Sequence, residues 1–200
     1  YRIPGSGVNL KRWYLMDYPS DEQGVDFLYI GRVIKQKGIE EYLEAAKQIR
    51  KEYPNTTFHV LGPCDGDYEG MLAEYQNQGI IQYHGMVPDT REYLLHAHCT
   101  IHPSYYPEGI SNALLESAAC GRPIITTNRS GCRETVEDGK TGFVFEQKNE
   151  EQLLMCIRKF MQMDNEARRE MGIAGRKKME KEFNRQIVID AYMREIDGIR

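Results

Sequence analysis

The chain has 200 residues, 40% hydrophobic and 28% charged, with 26 Lys and Arg against 30 Asp and Glu for a net charge of −4. That is material for one sizeable globular domain, and the slightly acidic balance leaves no footprint for nucleic acid or an anionic membrane surface. Apolar runs are too short to span a bilayer, and cysteines at 64, 99, 120, 132 and 156, odd in number and without paired spacing, point to a reducing cytoplasmic setting rather than a disulfide framework or zinc site.

In chain order, residues 1–24 are rich in Gly, Pro and Ser and read as a linker leading into a domain; the chain opens on Tyr1 without a signal pattern, as part of something longer would. Residues 25–183 then alternate strand and helix. The run Val25–Ile30 predicts a first strand ending at Gly31-Arg32, and Ile39, Tyr42, Leu43, Ala46 and Ile49 recur at helical spacing. A second strand, Thr56–Leu61, ends at Gly62-Pro63 and is followed by a helix over about 67–78; Asp65-Gly-Asp67 begins that helix rather than a metal motif. A third strand at 80–83 leads through His84 to Asp89 into a short helix at about 90–97. Cys99–His102 is a fourth strand, 123–127 a fifth and Gly142–Phe145 a sixth; from Glu150 the chain reads as helical, broken near Asp164-Asn165 and Phe183-Asn184, with 184–200 as a last helix. Such alternation gives a doubly wound parallel sheet of six strands with helices on both faces, an α/β Rossmann-like fold.

The stretch from Pro103 to Pro123 organises the rest. A strand runs into a turn-rich loop, Ser111 or Asn112 suits a helix cap, and Gly121 before Pro123 stops the helix. The start of such a helix attracts anions, because its first N–H groups lack intrahelical acceptors. Glu108 lies in the loop and Glu116 eight residues later in the helix, and carboxylates there are acceptors for sugar hydroxyls rather than for phosphate. In the common doubly wound order the first and fourth strands are neighbours at the switch point, so Arg32 and Lys37 after the first strand face Glu108 after the fourth. Two cations, a helix N-terminus and two carboxylates suit a sugar diphosphate ester; the plain alternative is that Arg32 and Lys37 serve surface solubility, Glu108 is a solvated loop residue and Glu116 lies on the wet face of its helix. His96, His98 and His102 straddle a helix end and a strand and read as core or solvated histidines rather than metal ligands, and the charge run 176–182 reads as a solvated helix face.

These residues resemble the C-terminal, donor-binding half of a family 4 retaining glycosyltransferase with two Rossmann-like domains, the glycosyltransferase B fold. The likeness rests on four signatures in order: Ile3-Pro-Gly-Ser-Gly-Val-Asn9, Gly31-Arg32 to Lys37-Gly38, the pair Glu108 and Glu116 with seven residues between, and Gly131-Cys-Arg-Glu134 to Gly139-Lys-Thr-Gly142. It implies that Arg32 and Lys37 bind the donor diphosphate, Glu116 the ribose and Glu108 the transferred sugar. Backbone amides of Gly109, Ile110, Ser111 and Asn112 would meet sugar and phosphates, and Val87 the base through its backbone. Arg32, Lys37 and Glu108 would be the catalytic set, no metal or other cofactor is expected, and the donor is a nucleoside-diphosphate sugar. Polysaccharide biosynthesis, an acceptor-binding N-terminal partner domain and peripheral membrane contact of the full-length protein belong to the same expectation. The last helix would cross back to that domain, leaving it loosely attached or docked differently here, and the chain alone would bind nucleotide weakly and transfer nothing.

Two features depart from the family pattern: Gly109-Ile110-Ser111 stands where an aromatic-Gly pair is usual, and Cys132 replaces a second Gly. Other readings are a nucleotide-sugar epimerase, a phosphorylase of related architecture, or a non-catalytic nucleotide-binding module. A dinucleotide dehydrogenase is disfavoured, because the loop after the first strand lacks G-x-G-x-x-G.

Overall fold

A computed structural model describes residues 5–64, 66–107 and 109–198. Its strands are β1 (Val25–Ile30), β2 (Thr56–Leu61), β3 (Gln82–Gly85), β4 (Cys99–His102), β5 (Ile124–Thr127) and β6 (Gly142–Phe145). Its helices are α1 (Ile39–Glu52), α2 (Glu69–Asn77), α3 (Arg91–His96), α4 (Asn112–Ala119), α5 (Glu150–Gln162), α6 (Asn165–Glu182) and α7 (Arg185–Gly198). The strands pair in parallel in the order β3-β2-β1-β4-β5-β6, so the direction of winding reverses between β1 and β4. The doubly wound six-stranded sheet expected from the alternation is the one observed.

Period-two alternation splits the strand residues between two apolar layers. On one face Phe27, Tyr29, Phe58, Val60 and Ile101 pack with Tyr42, Ile49, Leu72, Ile157 and Phe160 of α1, α2 and α5. Phe27 stacks on Phe58 at 4.8 Å and meets Phe160 edge-on at 5.8 Å. On the other face Leu28, Leu61 and Ile124 pack with Leu94, Leu114, Leu115 and Met179 of α3, α4 and α6. Burial on both faces is why β1 is written as a nearly continuous apolar run, broken only by Asp26.

The third strand begins two residues later than its apolar residues predict. Gly79 takes a positive φ of 68° at the end of α2, and the Ile80 N–H donates back to the Tyr75 carbonyl at 2.9 Å, so Ile80 completes the helix cap instead of entering the ladder.

Three arginines fasten the lead-in segment to helix ends. Arg122, fully buried, donates from Nε to the Leu94 carbonyl at 2.6 Å and from Nη2 to the Asp17 carbonyl at 2.7 Å, with its guanidinium 5.5 Å from the Tyr18 ring centre. Arg168 donates to the Phe160 and Met161 carbonyls at the end of α5 and to Asp21 Oδ2. Arg176 donates from Nη1 to the Ala119 carbonyl at the end of α4 and to the Trp13 carbonyl, both at 2.8 Å. Each cation meets the negative end of a helix while satisfying last-turn carbonyls. Arg176 therefore departs from the solvated face expected of its charge run; its side chain is only 13% exposed.

The last helix is joined to the lead-in at its start, where Val8 N–H donates to the Phe183 carbonyl and Arg185 N–H to the Val8 carbonyl. Val188 and Ala191 are buried, whereas Ile187, Ile189, Tyr192, Met193 and Ile196 are exposed. Among the described residues no helix is long and apolar enough to cross a membrane.

Arg122→Ala removes a buried charge and strands three main-chain carbonyls, those of Leu94, Leu95 and Asp17. The expected loss is about 3 kcal/mol or more in a urea denaturation experiment. Lys, lacking the planar fork, recovers only part of it.

Candidate functional site

All strands are parallel, so the loops following β1, β3, β4 and β5 leave the same edge of the sheet. The loop after β1 forms a single 3-10 turn, Lys35–Lys37, closed by Gly38 at φ 76°. Tyr29, buried in β1, donates its hydroxyl to the Arg32 carbonyl at 2.9 Å and fixes the start of the turn. The end of the turn is fixed from β4: Tyr105 N–H donates to the Gln36 carbonyl at 2.9 Å. Gly38 lies so close to the Pro103 carbonyl that a Cβ there would overlap it.

This tie brings the two loops into one site. Arg32 is exposed and Lys37 buried, yet both reach the Tyr106 ring, with the guanidinium carbon at 5.4 Å and Lys37 Nζ at 5.0 Å from its centre. Arg129, after β5, donates from Nε to the Tyr106 carbonyl at 2.8 Å, and Lys148 Nζ lies 4.6 Å from the Tyr105 ring centre. Positive charge thus gathers from three loops around residues 105 and 106. Neither Arg129 nor Lys148 is marked by any local motif.

The α4 start is held differently. Ser111 N–H donates to the Gly131 carbonyl at 3.0 Å, and its hydroxyl lies 3.4 Å from His102 Nε2. The Ser111 amide, one of those predicted to bind, is therefore already engaged. Gly131 is in turn held by Glu134, whose Oε2 accepts its N–H at 2.7 Å, so the Gly131-to-Glu134 motif braces the helix start. Asn112 is exposed and accepts a hydrogen bond from Ser6 at 3.1 Å, and Ile110 packs beneath Gly5. Glu108, Ile3, Pro4 and Asp65 lie outside the described residues.

Glu116, one turn into α4, is half-buried. Burial lifts its carboxyl from the ordinary 4.5 to about 7, the nearby Asp89 adds to the rise, and Arg12 and Arg185 oppose it. The β3 loop, the lead-in and α7 therefore converge on this acid. In the same loop Val87 is half-buried against the core and Asp89 is locked to Arg91 by a forked ion pair. Of the three histidines, His98 is buried and its Nδ1 accepts the Asp26 N–H at 3.0 Å, His102 is buried beside Ser111, and His96 is exposed. Among the described residues no group of three or more His, Cys, Asp or Glu is placed to hold a metal ion.

Residues 16–178 match the family model described as glycosyl transferases group 1. The chain belongs to this family. A curated relative, the capsular polysaccharide biosynthesis glycosyltransferase CapM of Staphylococcus aureus, is 30% identical over 164 residues, covering 80% of this chain and 42% of that protein. The chain spans about half the length of the curated relatives it matches. Anabaena HepE, solved in complex with UDP, superposes with a TM-score of 0.82 at 16% identity, over 96% of this chain and 56% of that one. The C-terminal domain of a group 1 protein, LpcC from Francisella tularensis, aligns over 89% of this chain and 99% of its own, with a TM-score of 0.74 and 21% identity. This group 1 chain thus has the fold of a C-terminal Rossmann-like domain of the glycosyltransferase B architecture.

Two measurements probe the site directly. Gly38→Ala forces apart the turn after β1 and the loop after β4, and should cost about 2 kcal/mol or more in thermal unfolding, since it adds strain at positive φ to a steric overlap. Glu116 holds its proton in the folded state, and releases it in the unfolded state, between pH 4.5 and about 7, so folding stability declines as pH rises through that window. The full shift corresponds to roughly 3 kcal/mol, which solvent screening reduces to about 1–2. Glu116→Gln should therefore stabilise the domain by about 1–2 kcal/mol at pH 8 and by little at pH 5; an equal effect at both would show that the acid does not titrate in this range.

Proposed function

We propose that the chain is the donor-binding half of a retaining glycosyltransferase, one that moves a sugar from a nucleoside-diphosphate sugar to an acceptor. The observation that carries the proposal is the gathering of Arg32 and Lys37, from the loop after β1, onto the loop that leads from β4 into α4. UDP in the HepE structure, on a closely superposable fold, supports a nucleoside diphosphate as the group bound.

Negative charge grows on the diphosphate as the bond to the sugar breaks. Arg32 and Lys37 face it with full positive charges, and the α4 N-terminus adds its dipole, so the charge is stabilised where it develops. The amides of Gly109, Ile110 and Asn112 contact sugar and phosphate, while Ser111, bonded to Gly131, holds the turn that presents them. Glu108 contacts the transferred sugar. Glu116 in its ionised form accepts the ribose hydroxyls, and Val87 meets the base through its backbone. The reaction runs without a bound metal, the two cations supplying the charge. The acceptor and its contacts belong to an N-terminal domain. We place the protein in cytoplasmic polysaccharide biosynthesis, with the full-length chain contacting the membrane peripherally.

Titration calorimetry of the chain with UDP, GDP, ADP and dTDP tests the donor site: one should bind, and more tightly at pH 8 than at pH 6 as Glu116 ionises. In the full-length protein Arg32→Ala and Lys37→Ala should each lower turnover by about a hundredfold or more, and EDTA should leave it unchanged. Normal turnover in either variant would remove the assignment.

A further inference from the structure

We propose that Tyr106 is a positioning residue for the diphosphate site, its ring holding Arg32 and Lys37 side by side; the inference rests on the donor reading above. Two cations brought to one anion repel each other and, on long flexible stems, sample many rotamers. Here both lie within about 6 Å of one aromatic centre, the range in which the ring quadrupole attracts a cation, at 5.4 Å for Arg32 and 5.0 Å for Lys37. A carboxylate in this place would compete with phosphate by cancelling their charge. A ring attracts them without itself carrying a neutralising charge.

The ring is itself held. Tyr106 N–H donates to the Ser104 hydroxyl at 3.2 Å and its carbonyl accepts from Arg129 at 2.8 Å. Ser104 is fully buried, with its carbonyl accepting from Thr127 at 2.5 Å. Pro107 follows and restricts the Tyr106 backbone to extended conformations. The main chain on the cation side is fixed as well, by the Tyr29 hydroxyl at Arg32 and by Tyr105 at Gln36. The ring contacts both cationic side chains before the ligand arrives, which lowers the ordering cost of binding.

Tyr106→Phe keeps the ring and Tyr106→Leu removes it. Calorimetric titrations with UDP, GDP, ADP and dTDP should show Leu weakening whichever diphosphate binds the wild type by about tenfold, with Phe at wild-type affinity. In an Arg32→Ala background the same Leu substitution should cost only about threefold, because one of its two partners is gone. Unchanged affinity for Leu, a Phe variant as weak as Leu, or a full tenfold loss in the Arg32→Ala background would each overturn the assignment. If the wild type binds none of the four diphosphates, the donor reading fails and this inference with it. If the wild type binds, Arg32→Ala weakens binding measurably and Tyr106→Leu leaves it unchanged, the donor reading stands and Tyr106 alone loses its role.

Discussion

The hydrogen bond from the Tyr105 amide to the Gln36 carbonyl is the constraint from which the site's geometry follows. It joins two loops that leave neighbouring strands, and the missing side chain at Gly38 lets them close until main chain meets main chain at Pro103. A parallel sheet delivers its loops to one edge but does not fix their separation. Here the separation is set by backbone groups that cannot rotate away. Arg32 and Lys37 therefore have a defined place relative to α4, although one is exposed and both side chains are long.

The acid on α4 has the opposite character. Glu116 is held where its charged form is disfavoured, and the guanidinium groups that oppose the penalty, Arg12 and Arg185, come from the two ends of the described chain. Burial makes the charged form costly at neutral pH, and hydroxyl donors brought to the carboxylate would offset that cost. Stability given up at one residue is a common mark of a binding position.

That cost is met by the ordinary core and by the three guanidinium fasteners. Among the described residues the lead-in has no helix or strand of its own, and an irregular segment is held only if its main chain finds partners. Arg122 and Arg176 provide them at the Asp17 and Trp13 carbonyls, and Arg168 adds an ion pair to the Asp21 side chain; the three bridge the lead-in to the last turns of α3, α4 and α5. One consequence is that Arg12 and Trp13 are carried to fixed positions over the α4 face. A substitution at Arg176, far from α4 in sequence, reaches the surroundings of Glu116 through Trp13.

How much of this was written locally depends on the range of each interaction. The strands Val25–Ile30 and Cys99–His102 were legible as short, largely apolar segments bounded by turn residues, and their adjacency followed from topology. The approach of Arg32 and Lys37 to the loop after β4 was legible because neighbouring parallel strands send their loops to the same edge. The start of β3 was not, since Ile80 looks like a strand residue and only the cap bond to Tyr75 takes it away. Tyr106, Arg129 and Lys148 were not legible as a group, because an aromatic-cation contact leaves no spacing in the chain when its members come from different loops. The same holds for Arg12 and Arg185 about Glu116. Periodicity reports what each element buries, and glycines report where chains approach. Charge partners assembled from distant loops are set by the tertiary fold, so this site is legible in its main-chain frame and only partly in its electrostatics.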